Sequence, residues 1–159
     1  LDGIEWTGSE LLVLDLKGGS VHHYTFDGKA FEAGAVDSLD RNVPDGATSV
    51  TWSGERLYVL SDADELLRLD PSGLRVLDLV GIDRPLLSPQ AIAADSLTGD
   101  IYISDRGNNR IVVVDRDGNF LRQLVGPELS SLSHIAVDAD TAFLYFLAGD
   151  ALYQAPLPE

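Results

Sequence analysis

Apolar runs of about four to six residues recur along the chain and are separated by turn-forming pairs. Thr7-Gly8, Asp27-Gly28, Ser53-Gly54, Thr98-Gly99 and Asp117-Gly118 are such pairs. An Asp-Gly pair suits a tight hairpin, because glycine has no Cβ to clash at positive φ. No segment sustains a 3.6-residue apolar period over three turns, so the pattern predicts strands and no helices. The strands group in fours. Innermost strands are predicted at 3–6, 49–52, 91–94 and 134–137, and second strands at 11–14, 56–60, 100–104 and 143–147. Third strands follow at 21–26, 65–70, 110–115 and 151–154, with outer strands at 30–36, 75–80 and 120–125 only.

The four groups are copies of one unit. Laid over residues 1–36, the stretch 88–126 places Tyr102, Asp105 and Asp117-Gly118 on Leu12, Asp15 and Asp27-Gly28. Laid over 47–81, it places Tyr102 on Tyr58 and Gly118 on Gly73. Moved toward the C-terminus, it places Ile92 and Asp95 on Ile135 and Asp138, and Tyr102 on Tyr145. The anchors Ile4, Val50, Ile92 and Ile135 recur every 42–46 residues or so, within the range of about 40–50 expected of four-stranded propeller blades. The expected fold is an all-β propeller with blade-like repeats at about 1–36, 47–81, 88–126 and 132–157. The segments 37–46, 82–87 and 127–132 read as loops between blades.

The last repeat departs from the others. ALYQAPLPE follows its third strand directly, and Pro156 and Pro158 cannot donate to a central ladder, so its outer strand is expected to be missing. Only Leu1 and Asp2 precede the first inner strand, too few to supply it. The arrangement is either a four-bladed ring with a ragged seam or part of a longer propeller. An open arc would expose apolar blade faces at both ends and would pair with another copy or with further chain.

Residues 88–126 resemble one NHL repeat. The resemblance rests on a PxxIAxD opening (Pro89, Ile92, Asp95), the centre DIYISDRGNNRI (Tyr102, Asp105, Asn109, Arg110, Ile111) and the close VDRDGNFLRQLVG. It implies a propeller blade in which Asp105 binds turn amides and Arg110 packs along the blade. It also implies two chemistries to look for. Some NHL-like enzymes, the peptide-amidating and streptogramin lyases, hold a metal in the channel with several histidines. Lactonase-like six-bladed propellers are similar and centre a calcium on carboxylates and amides.

The residues support these chemistries thinly. Three protein ligands are typical of a catalytic zinc, and only His134 lies on an inner strand. It is expected to hydrogen-bond neighbouring backbone. His22 and His23 fall on a third strand, where alternation should bury one and expose the other. Glu5 is the one acidic residue inside an inner strand, and Thr51, Ala93 and Ala136 at its level cannot complete a calcium site of about six oxygens. Aligned inner-strand positions form three rings: Gly3, Ser49, Ala91 and His134; Asp2, Thr48, Gln90 and Ser133; Glu5, Thr51, Ala93 and Ala136. From these, Glu5, Ser49, Gln90 and His134 are the channel-rim binding candidates. No catalytic residue and no metal ligand is assigned. The acidic turns 62–65 and 138–140 read as solvated surface. No nucleophile elbow, dinucleotide fingerprint or phosphate-binding glycine loop is present.

Composition narrows the partners. With 159 residues, 45% of them hydrophobic, the chain can form one domain with a core. A net charge of −15 argues against nucleic acid, which needs clustered cations, and against anionic membrane surfaces. Arg106, Arg110, Arg116 and Arg122 do cluster in the third repeat, but acidic neighbours offset them. No apolar run is long enough to enter a membrane. The absence of cysteine excludes disulfides and thiolate chemistry. The chain opens on Leu1 and contains no Met, as a processed or trimmed product would. An extracytoplasmic or secreted, bacterial-type domain is the favoured placement. The function expected is that of a non-catalytic scaffold, without cofactor, for a protein or carbohydrate partner, with self-association open. The alternative is a calcium- or zinc-dependent lyase or lactonase-like hydrolase with its site in the channel.

Overall fold

The computed structural model describes residues 3–6, 9–15, 18–38, 46–53, 56–70 and 73–157. Asp2, Thr7-Gly8, Gly54, most of the first linker and Pro158 lie outside the described residues. The fold is a β-propeller arrangement of antiparallel sheets. The first blade is β1 (Gly3–Trp6), β2 (Glu10–Asp15), β3 (Ser20–Phe26) and β4 (Phe31–Ser38). The second is β5 (Ala47–Ser53), β6 (Arg56–Ser61), β7 (Leu66–Asp70) and β8 (Gly73–Val76). The third is β9 (Pro89–Ala94), β10 (Ile101–Asp105), β11 (Arg110–Val114) and β12 (Phe120–Val125). The fourth is β13 (Leu132–Asp138), β14 (Phe143–Ala148) and β15 (Ala151–Pro156). Within each sheet the strands follow chain order, and the fourth sheet has three strands, as expected.

The inner strands pack in series, β1 on β5, β5 on β9 and β9 on β13. Side chains of a strand point alternately to its two faces, and facing sides of successive sheets pack together. Three apolar clusters result. Leu12, Leu14 and Val21 of the first blade meet Val50, Leu57, Val59 and Leu67 of the second. Tyr58, Leu60 and Leu66 meet Ile92, Ile101, Ile103, Val112 and Val114 of the third. Tyr102, Ile111 and Val113 meet Leu132 and Leu144 of the fourth. Burying one such aliphatic side chain contributes about 1.5–3 kcal/mol, so the seams between blades are where the fold is held.

Hairpin turns are fixed by carboxylates. Asp115 Oδ1 accepts the Asp117 and Asn119 amides, both at 2.9 Å, with Gly118 between them at φ +89°. Asp27 Oδ1 accepts the Lys29 and Ala30 amides at 2.8 Å. Asp95 Oδ1 accepts the Leu97 and Thr98 amides at 2.8 and 3.1 Å.

Four details differ from expectation. The outer strand of the second blade ends at Val76 rather than Val80. Val80 instead bridges to Asn119 of the third blade, accepting the Phe120 amide at 2.8 Å, so this segment leaves its own sheet to join the next. β15 runs on to Pro156, which pairs with Phe143; as an edge strand it tolerates a missing donor. The third linker is not a loop but a 3-10 helix, Pro127–Ser131, with Leu129 buried. His22 and His23 are both half-buried. One face of the first blade has no blade against it, so alternation there does not divide buried from exposed.

Candidate functional site

The corner after β10 is the most heavily hydrogen-bonded feature of the third blade. A 3-10 turn, Arg106–Asn108, ends on Asn109 in the left-handed region at φ 54°. Asp105, fully buried, accepts the Leu87 amide at 2.8 Å through Oδ1, and through Oδ2 the Asn108 side-chain amide at 2.8 Å and Arg110 Nε at 2.6 Å. Arg110, 1% exposed, also donates to the Arg84 carbonyl at 2.8 Å, to Gln123 Oε1 at 2.9 Å and to Asp83. All three nitrogens of the guanidinium donate to protein acceptors, so this pair is structural, as the NHL resemblance implies. The other blades answer the same position differently. Asp15 accepts the Gly18 amide at 2.7 Å in the first. Ser61 Oγ accepts the Ala63 and Glu65 amides at 3.3 Å in the second. The fourth has Ala148 there, next to Gly149 at φ +61°.

The four rim candidates do not converge. Glu5 and Ser49 lie on inner strands with their side chains turned to the next blade. Glu5 Oε1 accepts the Thr51 hydroxyl at 3.2 Å and the Trp52 amide at 3.4 Å. Burial pushes the Glu5 carboxyl above its ordinary range, and those two hydrogen bonds partly offset it. Thr51 Oγ1 in turn accepts the Ala94 amide at 3.0 Å, and Ser49 Oγ accepts the Ile92 amide at 3.1 Å. These acceptors hold amides on the free edge of the following inner strand, which no strand partner reaches. His134 is exposed on the outer face of the fourth blade, its Nδ1 3.2 Å from Ser133 Oγ, a side-chain partner rather than backbone. Among the described residues, no three metal-ligating side chains come together.

Gln90 lies apart from the other three, in a cleft of about 490 Å³ lined by Ser88, Gln90, Arg106, Gly107, Asn109 and Ser130. It sits where the corner after β10 meets the 3-10 helix leading into the fourth blade. Gln90 Nε2 donates to the Ser88 and Pro89 carbonyls at 3.2 Å, and Arg106 Nε reaches the Ser130 carbonyl at 3.4 Å. The cleft therefore offers hydroxyl, amide and guanidinium groups to a polar ligand. Of its residues, only Gln90 was legible as a site position. Arg106 is visible in the sequence as one of the third-repeat arginines, but not as the one that stays at the surface while Arg110 is buried.

The family model for the NHL repeat matches residues 86–114, which run from the buried Leu86 through the Asp105–Arg110 corner to the end of β11. The third blade matches the NHL repeat over its first three strands. Similar solved structures are propellers matched over nearly all of this chain. A chain of a nidogen/laminin complex superposes with a TM-score of 0.71 at 19% identity, covering 94% of this chain and 58% of that one. Glutaminyl cyclase of Myxococcus xanthus gives 0.63 at 15% identity, covering 96% of this chain and 70% of that one. A streptogramin B lyase gives 0.57 at 17% identity, covering 98% and 54%. At such identities the likeness is one of fold. The chain spans little more than half the length of the first and third of these. The stretch that matches the NHL repeat thus contributes a turn whose Asp105 and Arg110 are buried and one wall of the rim cleft.

Proposed function

We propose that this propeller is a non-catalytic binding scaffold that takes a protein or carbohydrate partner at the rim cleft between its third and fourth blades. The observation that carries the reading is the cleft itself. Arg106, Gln90, Ser88 and Ser130 gather there, with no carboxylate among the lining residues, on a chain of net charge −15. A local cation on an acidic protein favours ligands rich in acceptor oxygens, such as sugar hydroxyls, peptide carbonyls and carboxylates. Similarity to a chain of a nidogen/laminin complex fits a propeller in a protein assembly. The metal-dependent alternative draws least support from Glu5, whose carboxylate oxygen is engaged by Thr51 and Trp52.

The test is a binding screen of the purified chain against arrays of oligosaccharides and of peptides, repeated with Arg106→Ala and Gln90→Ala. Binding that weakens tenfold or more in both variants is expected. Turnover of a lactone or elimination from a peptide, lost in Glu5→Gln or His134→Ala, would overturn the proposal in favour of the enzyme.

A further inference from the structure

Among the described residues, two sheet faces have no blade packed against them. On the first blade this face carries Ile4, Trp6, Leu11, Val13 and Tyr24, since directly paired residues of neighbouring strands share a face. Phe31 joins it, edge-on to Trp6 with ring centroids 6.4 Å apart. Ile4 is 56% exposed and Trp6 and Phe31 are each 50% exposed. On the fourth blade the corresponding face carries His134, Tyr145, Leu147 and Leu152, and Leu152 is 71% exposed.

The repeat register says what each face is built to meet. It carries Ile4, Trp6, Leu11 and Val13 onto Val50, Trp52, Leu57 and Val59, with the same cross-strand pairings. Those second-blade residues receive Leu12, Leu14 and Val21 of the blade before. At the other end the register carries Leu12, Leu14 and Val21 onto Tyr145, Leu147 and Leu152, again with matching pairings. One end is therefore a receiving face, and the other presents the surface that such a face receives. The residues at the centre of each face are uncharged, with His22 beside Val13 on the first face and the acidic side chains Asp15 and Asp138 only at the ends of their strands, although the chain carries 26 acidic and 11 basic residues.

We infer that two copies of the chain associate head to tail, the fourth-blade face of one docking on the first-blade face of the other as successive blades dock within a copy. The contact is heterologous, using two different surfaces, and apolar between two strongly acidic bodies. Added salt should therefore tighten it by screening their mutual repulsion. This surface is separate from the rim cleft, so the two proposals stand or fall independently.

The experiment is light scattering on the purified chain from low to high micromolar concentration, at low and high salt, with Trp6→Asp and Leu152→Asp. Circular dichroism checks that each variant keeps its β-sheet. Val36→Asp and Gln154→Arg, exposed positions on the same two blades, replace either variant that does not fold. Expected are a mass of twice the monomer or more for the parent chain at high concentration, increasing with salt, and monomers for each variant alone. A 1:1 mixture of the two variants, which retains one intact pair of faces, should return to dimers. A parent chain that stays monomeric at every concentration and salt overturns the inference and assigns the faces to further blades on a longer polypeptide. Dimers persisting in either single variant, or a mixture that stays monomeric, overturn it too, because a same-face contact behaves in that way.

Discussion

The third blade and the first share one repeat pattern but are held differently. Every residue of β10 and β11 is buried, because the second and fourth blades cover both faces of that sheet. In the first blade only the face toward the second is sealed. Leu12 and Leu14 are buried, while Ile4 and Trp6 on the opposite face are half exposed. The apolar run of β2, Leu11 to Leu14, is at least as long as that of β10, Ile101 to Ile103. What differs is the neighbour. In a propeller, a strand's pattern specifies two faces, and burial is delivered by the adjacent blades.

The largest test of this contrast is at the corner turn. Arg110→Met leaves the fully buried Asp105 carboxylate without its cation, which should cost about 3–5 kcal/mol. Asp15→Ala, at the equivalent corner of the first blade, removes a hydrogen bond to the Gly18 amide and should cost about 1 kcal/mol. Urea denaturation of the two variants measures both. Equal losses would mean that the third blade is no better sealed than the first.

A second pair probes packing alone. Ile103→Ala opens a cavity in a fully buried site and should cost about 2–5 kcal/mol. Ile4→Ala removes a side chain that is mostly in water and should cost less than about 1 kcal/mol. The comparison belongs at low protein concentration, where the first-blade face is free in solution. There, a large loss for Ile4→Ala would show that this face is already covered.

Much of this asymmetry was legible in the sequence, and some was not. The period and the turn pairs place all fifteen strands, because strand alternation and Asp-Gly turns are local chemistry. The missing outer strand is legible because Pro156, at the end of β15, cannot donate to a ladder and so suits an edge strand. The path of Val80 is not, since its choice between two sheets depends on the backbone of the turn at Gly118. The rim cleft is not legible either. Ser88, Arg106 and Ser130 are far apart in the chain and meet only because the NHL corner packs on the helix at Pro127–Ser131. The roles of Glu5 and Ser49 turn on one geometric point. Blades stack face to face, so an inner-strand side chain can reach the next blade as readily as the channel.

The smallest expected effect is in pH. Burial raises the Glu5 carboxyl, so the folded state holds its proton more tightly than the unfolded state does. Its contribution is therefore fully present below the ordinary carboxylate range and is lost as pH rises through the raised value. Asp27 behaves in the opposite sense. The amides of Ala30 and Lys29 hold its carboxyl below its ordinary range, so its contribution is present at neutral pH and is lost as pH falls through the lowered value. Asp138 is held low by Thr141 in the same way. One carboxylate thus belongs to a seam between blades and the other two to turns in water. Urea midpoints across the acidic range should separate them. Glu5→Gln should gain stability relative to the parent as pH rises above the carboxylate range, because the glutamine oxygen still accepts from Trp52 without the burial of charge. Asp27→Asn should lose stability relative to the parent over the same rise. If Glu5→Gln instead follows Asp27→Asn, the Glu5 charge is solvated, and the seam between the first and second blades is as open as the face beyond it.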